Sequence, residues 1–351
     1  MSTGAAVTSE AAGARKTVRT VTGDLDPVEL GVCDAHDHLF LSSPLLPGQE
    51  LDDPHAAAAE LAAFHAAGGR AVVQWTPYGM GRGAASLAGL SRAAGVHLVA
   101  ATGLHQAGHY RPERLATLYD GLAGLFVEEL TRGIRDDGPT SGDGSTSADG
   151  PTSGDAPATD GEAAATAAAA ATAPRAGMIK VAGGYHGLDA HARRVMTAAA
   201  EAHHATGAPI GVHHELGTAA LDVLELLCGR LGVAPQSVIL GHLNRFPDLR
   251  LHREAAESGA YLAFDGPSRA NHATDWRLLE DLTALAEAGY GDRLLLGGDT
   301  TTAGARSVSG GPGMPFLLTG LRPRLVRELG EEYAELILRE NPARAFAVDW
   351  R

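Results

Sequence analysis

The 351-residue sequence contains only two cysteines, Cys33 and Cys228, and no long hydrophobic run. Two cysteines cannot form the disulfide framework of a small secreted protein, so a reducing compartment is expected. Residues 1–16 contain no apolar core of the length that a signal peptide needs, and no later run is long enough to span a membrane. We therefore expect a soluble, cytoplasmic protein.

Basic residues are scarce as well. There are 28 Lys and Arg against 42 Asp and Glu, which gives a formal net charge of −14. A nucleic-acid-binding face needs basic residues to neutralise phosphates, and an anionic membrane attracts basic segments, so neither partner is expected. The length suits either two average domains or one α/β barrel of about 250 residues with additions.

Large apolar side chains are absent from residues 136–173, and the sequence of residues 137–143 recurs as 149–155. Because this segment has no apolar surface to bury, nothing offsets its ordering entropy, and we predict a disordered acidic and Ala-rich insertion. Recruitment of a partner is the alternative role. The segment carries six Asp, one Glu and no Lys or Arg, so half of the net charge of −14 belongs to it. Residues 1–17 are predicted to be a flexible tail.

Short β-branched apolar runs alternate with longer amphipathic stretches in the remaining chain. Eight such strands separated by helices predict parallel pairing and a single (β/α)8 TIM barrel over residues 18–351, with the insertion before the fourth strand. A doubly wound open sheet is the competing architecture, but no G-x-G-x-x-G follows the first strand. The predicted strands cover residues 32–38, 71–75, 97–103, 178–181, 210–214, 238–242, 261–265 and 294–299.

Candidate metal ligands stand at the ends of several predicted strands. His36 and His38 lie on the first strand, and the alternation of side chains places both on one face. Two imidazoles at this spacing can bind one cation together, although a single His-x-His pair is a common accident. Imidazole and carboxylate are suitable ligands for divalent metals such as Zn²⁺. Four other strands also end in or contain candidates, which are Lys180, the pair His213 and His214, His242, and Asp299.

Lys180 has the right place for this site but the wrong charge, since an ammonium repels cations. Metal charge would drive its amine neutral, and a neutral amine can react with carbon dioxide to form a carbamate, which is a carboxylate-like bridge. A lysine that extends to solvent or forms a salt bridge at a strand end is the alternative interpretation.

This set of residues, in this order, resembles the phosphotriesterase family of the amidohydrolase superfamily. The resemblance extends from residue 18 to residue 348, interrupted by the insertion. Each motif is weak alone, but their joint order is specific. The motifs are Val18-Arg-Thr-Val-Thr-Gly23, Glu29-Leu-Gly31, Gly68-Gly69, Gly81-Arg82, Ala101-Thr-Gly103, Glu128-Glu-Leu-Thr-Arg-Gly133, Gly177-Met-Ile-Lys180, Gly241-His242, Gly311-Pro-Gly313 and Asn341-Pro-Ala-Arg344.

The resemblance implies two divalent metal ions, with Zn²⁺ expected and Mn²⁺ or Co²⁺ as alternatives. His36, His38 and Asp299 would hold the more buried metal, and His213 and His242 the more exposed one. Carbamylated Lys180 and a hydroxide would bridge them, and Asp299 would also be catalytic, as the acceptor of the proton from the attacking hydroxide. A homodimer is implied only by the family.

Two positions allow more than one role, the histidine pair on the fifth strand and the residue between His36 and His38. The register of Pro209-Ile210 favours His213 over His214 as the ligand, which leaves His214 as a buried or supporting residue. Between the first two histidines the family usually has Glu, whereas this chain has Asp37, which we interpret as structural.

The resemblance implies a small-molecule ester or lactone substrate. The residues after the last two strands resemble the lactonase branch, including sugar lactones, more than the phosphotriester branch. Small and hydroxyl residues stand where basic residues would be expected for a phosphorylated lactone, which puts a phosphate group in doubt. A phosphotriester hydrolase of the aryldialkylphosphatase type is the alternative, and a non-catalytic barrel that binds a small molecule is the alternative of another class. Candidate substrate contacts are Arg269, Arg245, His105 and Tyr78, with His109, Tyr110 and Trp75 as further pocket residues.

Overall fold

The eight predicted strands are present, each within two residues of its expected bounds. They were located in a computed structural model, which describes residues 16–135, 173–268 and 272–351. Within these residues, two short strands precede the eight and one follows them. The strands are β1 (Thr17–Thr20), β2 (Gly23–Leu25), β3 (Cys33–Asp37), β4 (Ala71–Gln74), β5 (His97–Gly103), β6 (Met178–Ala182), β7 (Ile210–His213), β8 (Val238–Gly241), β9 (Tyr261–Asp265), β10 (Leu294–Gly297) and β11 (Ala347–Val348).

Strands β3 to β10 form one parallel sheet whose spatial order is the chain order. The last strand returns to the first, because the backbone N–H of Asp299 donates to the carbonyl of His36 at 2.9 Å. Gly297 permits this approach, since a Cβ there would lie 2.6 Å from the backbone N and O of His36. The sheet therefore closes into the predicted (β/α)8 barrel, and the doubly wound alternative is wrong.

Helices follow the barrel strands, and several begin at an acidic cap. Asp53 accepts a hydrogen bond from the backbone N of His55 at 2.8 Å, and Asp189 accepts one from Ala192 at 2.7 Å. Such caps satisfy backbone donors that the first turn leaves free. The helices are α1 (Pro54–Ala66), α2 (Ala84–Ala94), α3 (Pro112–Leu118), α4 (Leu122–Thr131), α5 (Ala190–Thr206), α6 (Ala220–Leu224), α7 (Leu249–Glu257), α8 (His272–Asp275), α9 (Leu278–Leu285), α10 (Arg322–Leu329), α11 (Glu331–Glu335) and α12 (Asn341–Ala345).

Both faces of the barrel sheet are buried, as the continuous apolar runs predict. Outward-facing residues such as Val72 and Leu98 pack with helix residues in one large apolar cluster. Inward-facing residues such as Val73, Val99 and Ile239 fill the barrel in a second cluster. The predicted polar ligands lie beyond this filling, at the carboxyl end of the barrel.

A small antiparallel sheet of β1, β2 and β11 accompanies the barrel. Val18, Leu30 and Phe346 from this part of the chain pack into the inner cluster. Thr17 pairs with Val348, so strand β1 includes one residue of the predicted flexible tail. Residues 1–15, residues 136–172 and Arg269 lie outside the described residues. Among the residues described, no helix has both the length and the hydrophobicity to cross a membrane.

Candidate metal centre at the carboxyl end of the barrel

Five barrel strands deliver the predicted ligands to one cavity of about 400 Å³. The ligands come from the ends of β3, β7, β8 and β10, and from the middle of β6, so residues far apart in the chain meet in the barrel mouth. All six candidates line this cavity, namely His36, His38, Lys180, His213, His242 and Asp299.

His36, His38 and Asp299 form a compact donor set. Oδ1 of Asp299 lies 3.7 Å from Nε2 of His36 and 3.5 Å from Nε2 of His38. One donor atom from each of the three residues lies within 4.8 Å of the others. Burial opposes ionisation of Asp299, yet the charge of His242 brings its pKa below the ordinary value. A buried carboxylate with two imidazoles fits a divalent cation such as Zn²⁺.

A threonine sets the orientation of His38. The hydroxyl of Thr76 donates to the carbonyl of Phe40 at 2.5 Å, so it accepts from Nδ1 of His38, which is 2.8 Å away. With its proton on Nδ1, the His38 ring presents the lone pair of Nε2 towards Asp299. This is the tautomer that a metal ligand needs, and metal-binding histidines are normally held in this way.

His213, His242 and Lys180 form the second part of the site. The rings of His213 and His242 are 4.4 Å apart between centroids, and Nε2 of His213 lies 3.2 Å from the Glu215 carboxylate. Burial lowers the pKa of Lys180 to about 7, although the carboxylates of Asp299 and Glu215 oppose this shift. This shift favours the neutral amine, which is the form that carbamate formation requires. His214 points elsewhere, with Nδ1 2.8 Å from the carbonyl of Thr218.

Two of these residues have a backbone conformation that non-glycine residues rarely adopt. The φ angle is 63° at His242 and 53° at Asp299. Such left-handed positions cost free energy and cluster at functional sites. Asp37 supports the second position, because its Oδ1 accepts the backbone N–H of His38 at 2.7 Å and that of Thr300 at 2.9 Å. Asp37 thus ties the end of β3 to the loop that carries Asp299.

Sequence reasoning missed Asp265, the last residue of β9. Its Oδ1 lies 2.9 Å from Nδ1 of His36, and its Oδ2 lies 2.6 Å from Nδ1 of His242. Asp265 is fully buried, and the charges of His242 and His36 hold its pKa well below the ordinary value against the effect of burial. The sequence did indicate a site residue here, since Asp265 is a polar residue at the end of an apolar strand, as most of the predicted ligands are.

The predicted substrate contacts have different surroundings. His105 lines the cavity, with its ring centroid 4.5 Å from that of His213. Arg245 is buried, forms an ion pair with Asp275 and lies within 4 Å of Asp265 and Asp299, so carboxylates of the protein surround it. Tyr78 packs near the guanidinium groups of Arg82 and Arg114 and is not among the described residues that line the cavity.

Of the further candidates, His109 lines the cavity and Tyr110 does not. Trp75 stacks on His36 from inside the barrel, at 4.0 Å between ring centroids.

The fold and the cavity define a (β/α)8 barrel protein with a candidate metal centre, and comparison with known proteins specifies the family. A sequence model of the phosphotriesterase family matches residues 16–174 and 164–346. The chain therefore belongs to the phosphotriesterase family.

Relatives cover nearly the whole chain. A phospho-furanose lactonase from Mycoplasmopsis synoviae is 27% identical, over 95% of this chain and 92% of its own length. A phosphotriesterase homology protein from Escherichia coli is 29% identical, over 89% and 96%. Among solved structures, an amidohydrolase from Mycoplasma synoviae superposes with a TM-score of 0.79 and 27% identity, and covers 95% of this chain and 92% of that one.

Proposed function

We propose that this hydrolase is a binuclear metal-dependent lactonase, with sugar lactones favoured as substrates. The observation that carries the proposal is the meeting of the six candidate ligands in a single cavity, namely four imidazoles, one carboxylate and one buried lysine of lowered pKa. The relative named as a phospho-furanose lactonase supports a lactone as the substrate class.

The cations and the side chains would have different roles in the reaction. Two divalent cations would supply a water of lowered pKa and polarise a substrate oxygen. His36, His38 and Asp299 would hold one cation, and His213 and His242 the other, with carbamylated Lys180 between them. Asp299 and Glu215 both line the cavity, and the pKa of each lies below its ordinary value. Of the two, Asp299 belongs to the compact set with His36 and His38, so it would be the group placed to accept the proton from the water.

His105 supplies a hydrogen-bond donor rather than a ligand. Its Nδ1 lies 2.7 Å from the backbone N of Gln106, and a backbone N–H can only donate. Nδ1 is therefore unprotonated, and the neutral ring carries its proton on Nε2. Burial holds the pKa of His105 well below its ordinary value, which agrees with a neutral ring. An N–H donor in this cavity suits the oxygen on which negative charge develops.

Space for the rest of the substrate adjoins the cavity. A second cavity of about 720 Å³ shares Asp299 and Thr301 with the first. Hydroxyl residues such as Thr300 and apolar residues such as Phe316 line it, and its described lining includes no Lys or Arg. Arg306, the first basic residue after β10, is buried and donates to the carbonyl of Leu39. These surroundings favour a lactone without a phosphate group.

Metal analysis and a substrate panel test the proposal together. The panel contains γ- and δ-lactones, sugar lactones with and without phosphate, and a paraoxon-type triester. We expect two cations per chain and faster turnover of unphosphorylated lactones than of the triester. Asp299→Asn, assayed in parallel, should lower kcat by roughly 10²-fold or more. Less than one cation per chain, with no turnover after addition of Zn²⁺, Mn²⁺ or Co²⁺ and bicarbonate, would overturn the proposal.

A further inference from the structure

Asp265 contacts one histidine from each of the two proposed cation sites. Its two carboxylate oxygens divide between them, with Oδ1 2.9 Å from His36 and Oδ2 2.6 Å from His242. His36 belongs to the set with His38 and Asp299, whereas His242 belongs to the set with His213. Among the described contacts, no other carboxylate lies within 3 Å of a histidine from both sets.

The contact with His242 is a hydrogen bond rather than coordination of a shared ion by Asp265. Two ligands of one tetrahedral Zn²⁺, each at about 2.0–2.2 Å from the metal, lie about 3.3 Å apart. The 2.6 Å between Asp265 and His242 is too short for that arrangement and is normal for a charge-assisted hydrogen bond. An ionised carboxylate only accepts hydrogen bonds, so His242 carries a proton on Nδ1 and leaves Nε2 as the atom that can bind a cation. The contact with Nδ1 of His36 is an ion-pair contact at 2.9 Å, which leaves Nε2 of His36 directed to the other cation site.

The backbone at Asp265 is fixed by Asn244, which lies two residues after His242. Asn244 accepts from the backbone N of Asp265 at 3.1 Å and donates to its carbonyl at 3.0 Å. Both bonds involve only the main chain of Asp265. A change of its side chain therefore leaves this attachment of β9 to the loop after β8 in place.

We propose that Asp265 is a positioning residue that links the two cation sites, so that loss of its carboxylate weakens the binding of both cations. This inference rests on the proposed binuclear function. Thr76 provides the contrast, because its hydroxyl contacts a single ligand, His38. Removal of a residue that supports a metal-ligating histidine typically lowers metal affinity by about 10- to 100-fold.

A chelator challenge of the full chain loaded with Zn²⁺ tests the link. The wild type, Asp265→Asn and Thr76→Val are incubated with increasing concentrations of a chelator, and the protein-bound zinc is counted by mass spectrometry. We expect Asp265→Asn to lose both cations at a chelator concentration about 10-fold or more below the wild type. Thr76→Val should lose one cation early and keep the other. Thermal unfolding of each variant in excess chelator shows whether the metal-free fold is equally stable.

The outcomes separate this inference from the function. If Asp265→Asn retains both cations like the wild type, or loses only one, the link is wrong while the lactonase function stands. If it folds less stably without metal, Asp265→Glu and Asp265→Ser must show the same paired loss, and a loss of one cation in either would overturn the link. If the wild type binds two cations but hydrolyses no lactone, the function fails and the link survives. A wild type that binds no cation overturns both.

Discussion

Hydrogen bonds decide which nitrogen each histidine presents to the cavity. Thr76 places the proton of His38 on Nδ1, and the Gln106 backbone places that of His105 on Nε2. The first ring can therefore bind a cation through Nε2, and the second can only donate from that atom. Two imidazoles in one cavity thus have different roles because of what touches their other nitrogen.

The donor role of His105 predicts the effect of a substitution. His105→Phe keeps an aromatic ring that can stack on His109, now 4.3 Å away between centroids, but removes the N–H. We expect kcat to fall by about 10-fold or more, since the lost donor faces developing negative charge. Steady-state kinetics on the best lactone, with zinc content measured on the same samples, check this. His105→Gln restores an N–H and should recover part of the rate. Equal kcat for wild type and His105→Phe would exclude the donor role.

At the scale of elements, the closure of the barrel and the metal centre depend on the same contact. Strand β10 lies against β3 where Gly297 meets the backbone of His36, and the next residues include Asp299. Glu60 of α1 fixes the following loop, because its carboxylate accepts from the backbone N of Ser307 at 3.0 Å and of Met314 at 2.9 Å. The carboxyl end of β10 is thus held by β3 within the barrel, and the loop that follows β10 is held by Glu60 of α1 outside it.

Gly297→Ala tests whether the barrel depends on the close contact between β10 and β3. Its Cβ would lie 2.6 Å from backbone atoms of His36, so the two strands must separate or shift. We expect a loss of about 1–3 kcal/mol of stability or more, as for overpacking elsewhere, and weaker zinc retention. Calorimetric unfolding with and without Zn²⁺ measures both effects. Gly304→Ala is the matched control, because a Cβ there meets nothing within 4 Å. Equal unfolding temperatures for the two variants would contradict the close packing.

The strands and the residues at their ends could be predicted because both follow from local patterns. Apolar runs define the strands, and a polar residue that ends a run, such as His242 or Asp299, must lie at the barrel mouth. Asp265 also ends an apolar run, but its contacts with His36 and His242 come from other strands, so its role did not follow from the local pattern. The surroundings of Arg245 and Tyr78 depend on loops whose paths are set by long-range contacts. Local patterns do not encode such contacts.

At the scale of the whole molecule, we expect the barrel to fold and act without the acidic segment. The chain enters and leaves this segment at one point, where the backbone N of Ile134 donates to the carbonyl of Pro174 at 2.8 Å. Glu129 holds this junction, because its carboxylate binds buried Arg82 and accepts from the backbone N of Arg135. The barrel's own contacts thus bring together the two residues that flank residues 136–172.

Replacement of residues 137–171 by two glycines tests this expectation. Since the flanking residues are already hydrogen-bonded to each other, we expect an unchanged unfolding temperature and lactone turnover within about twofold of the wild type. A second variant keeps the length of the segment but replaces its acidic residues with serine, which distinguishes an effect of charge from one of length. Lost turnover in both variants would show that the acidic residues serve catalysis. Unchanged turnover and solubility in both would exclude partner recruitment as a catalytic requirement and assign hydrolysis to the barrel alone.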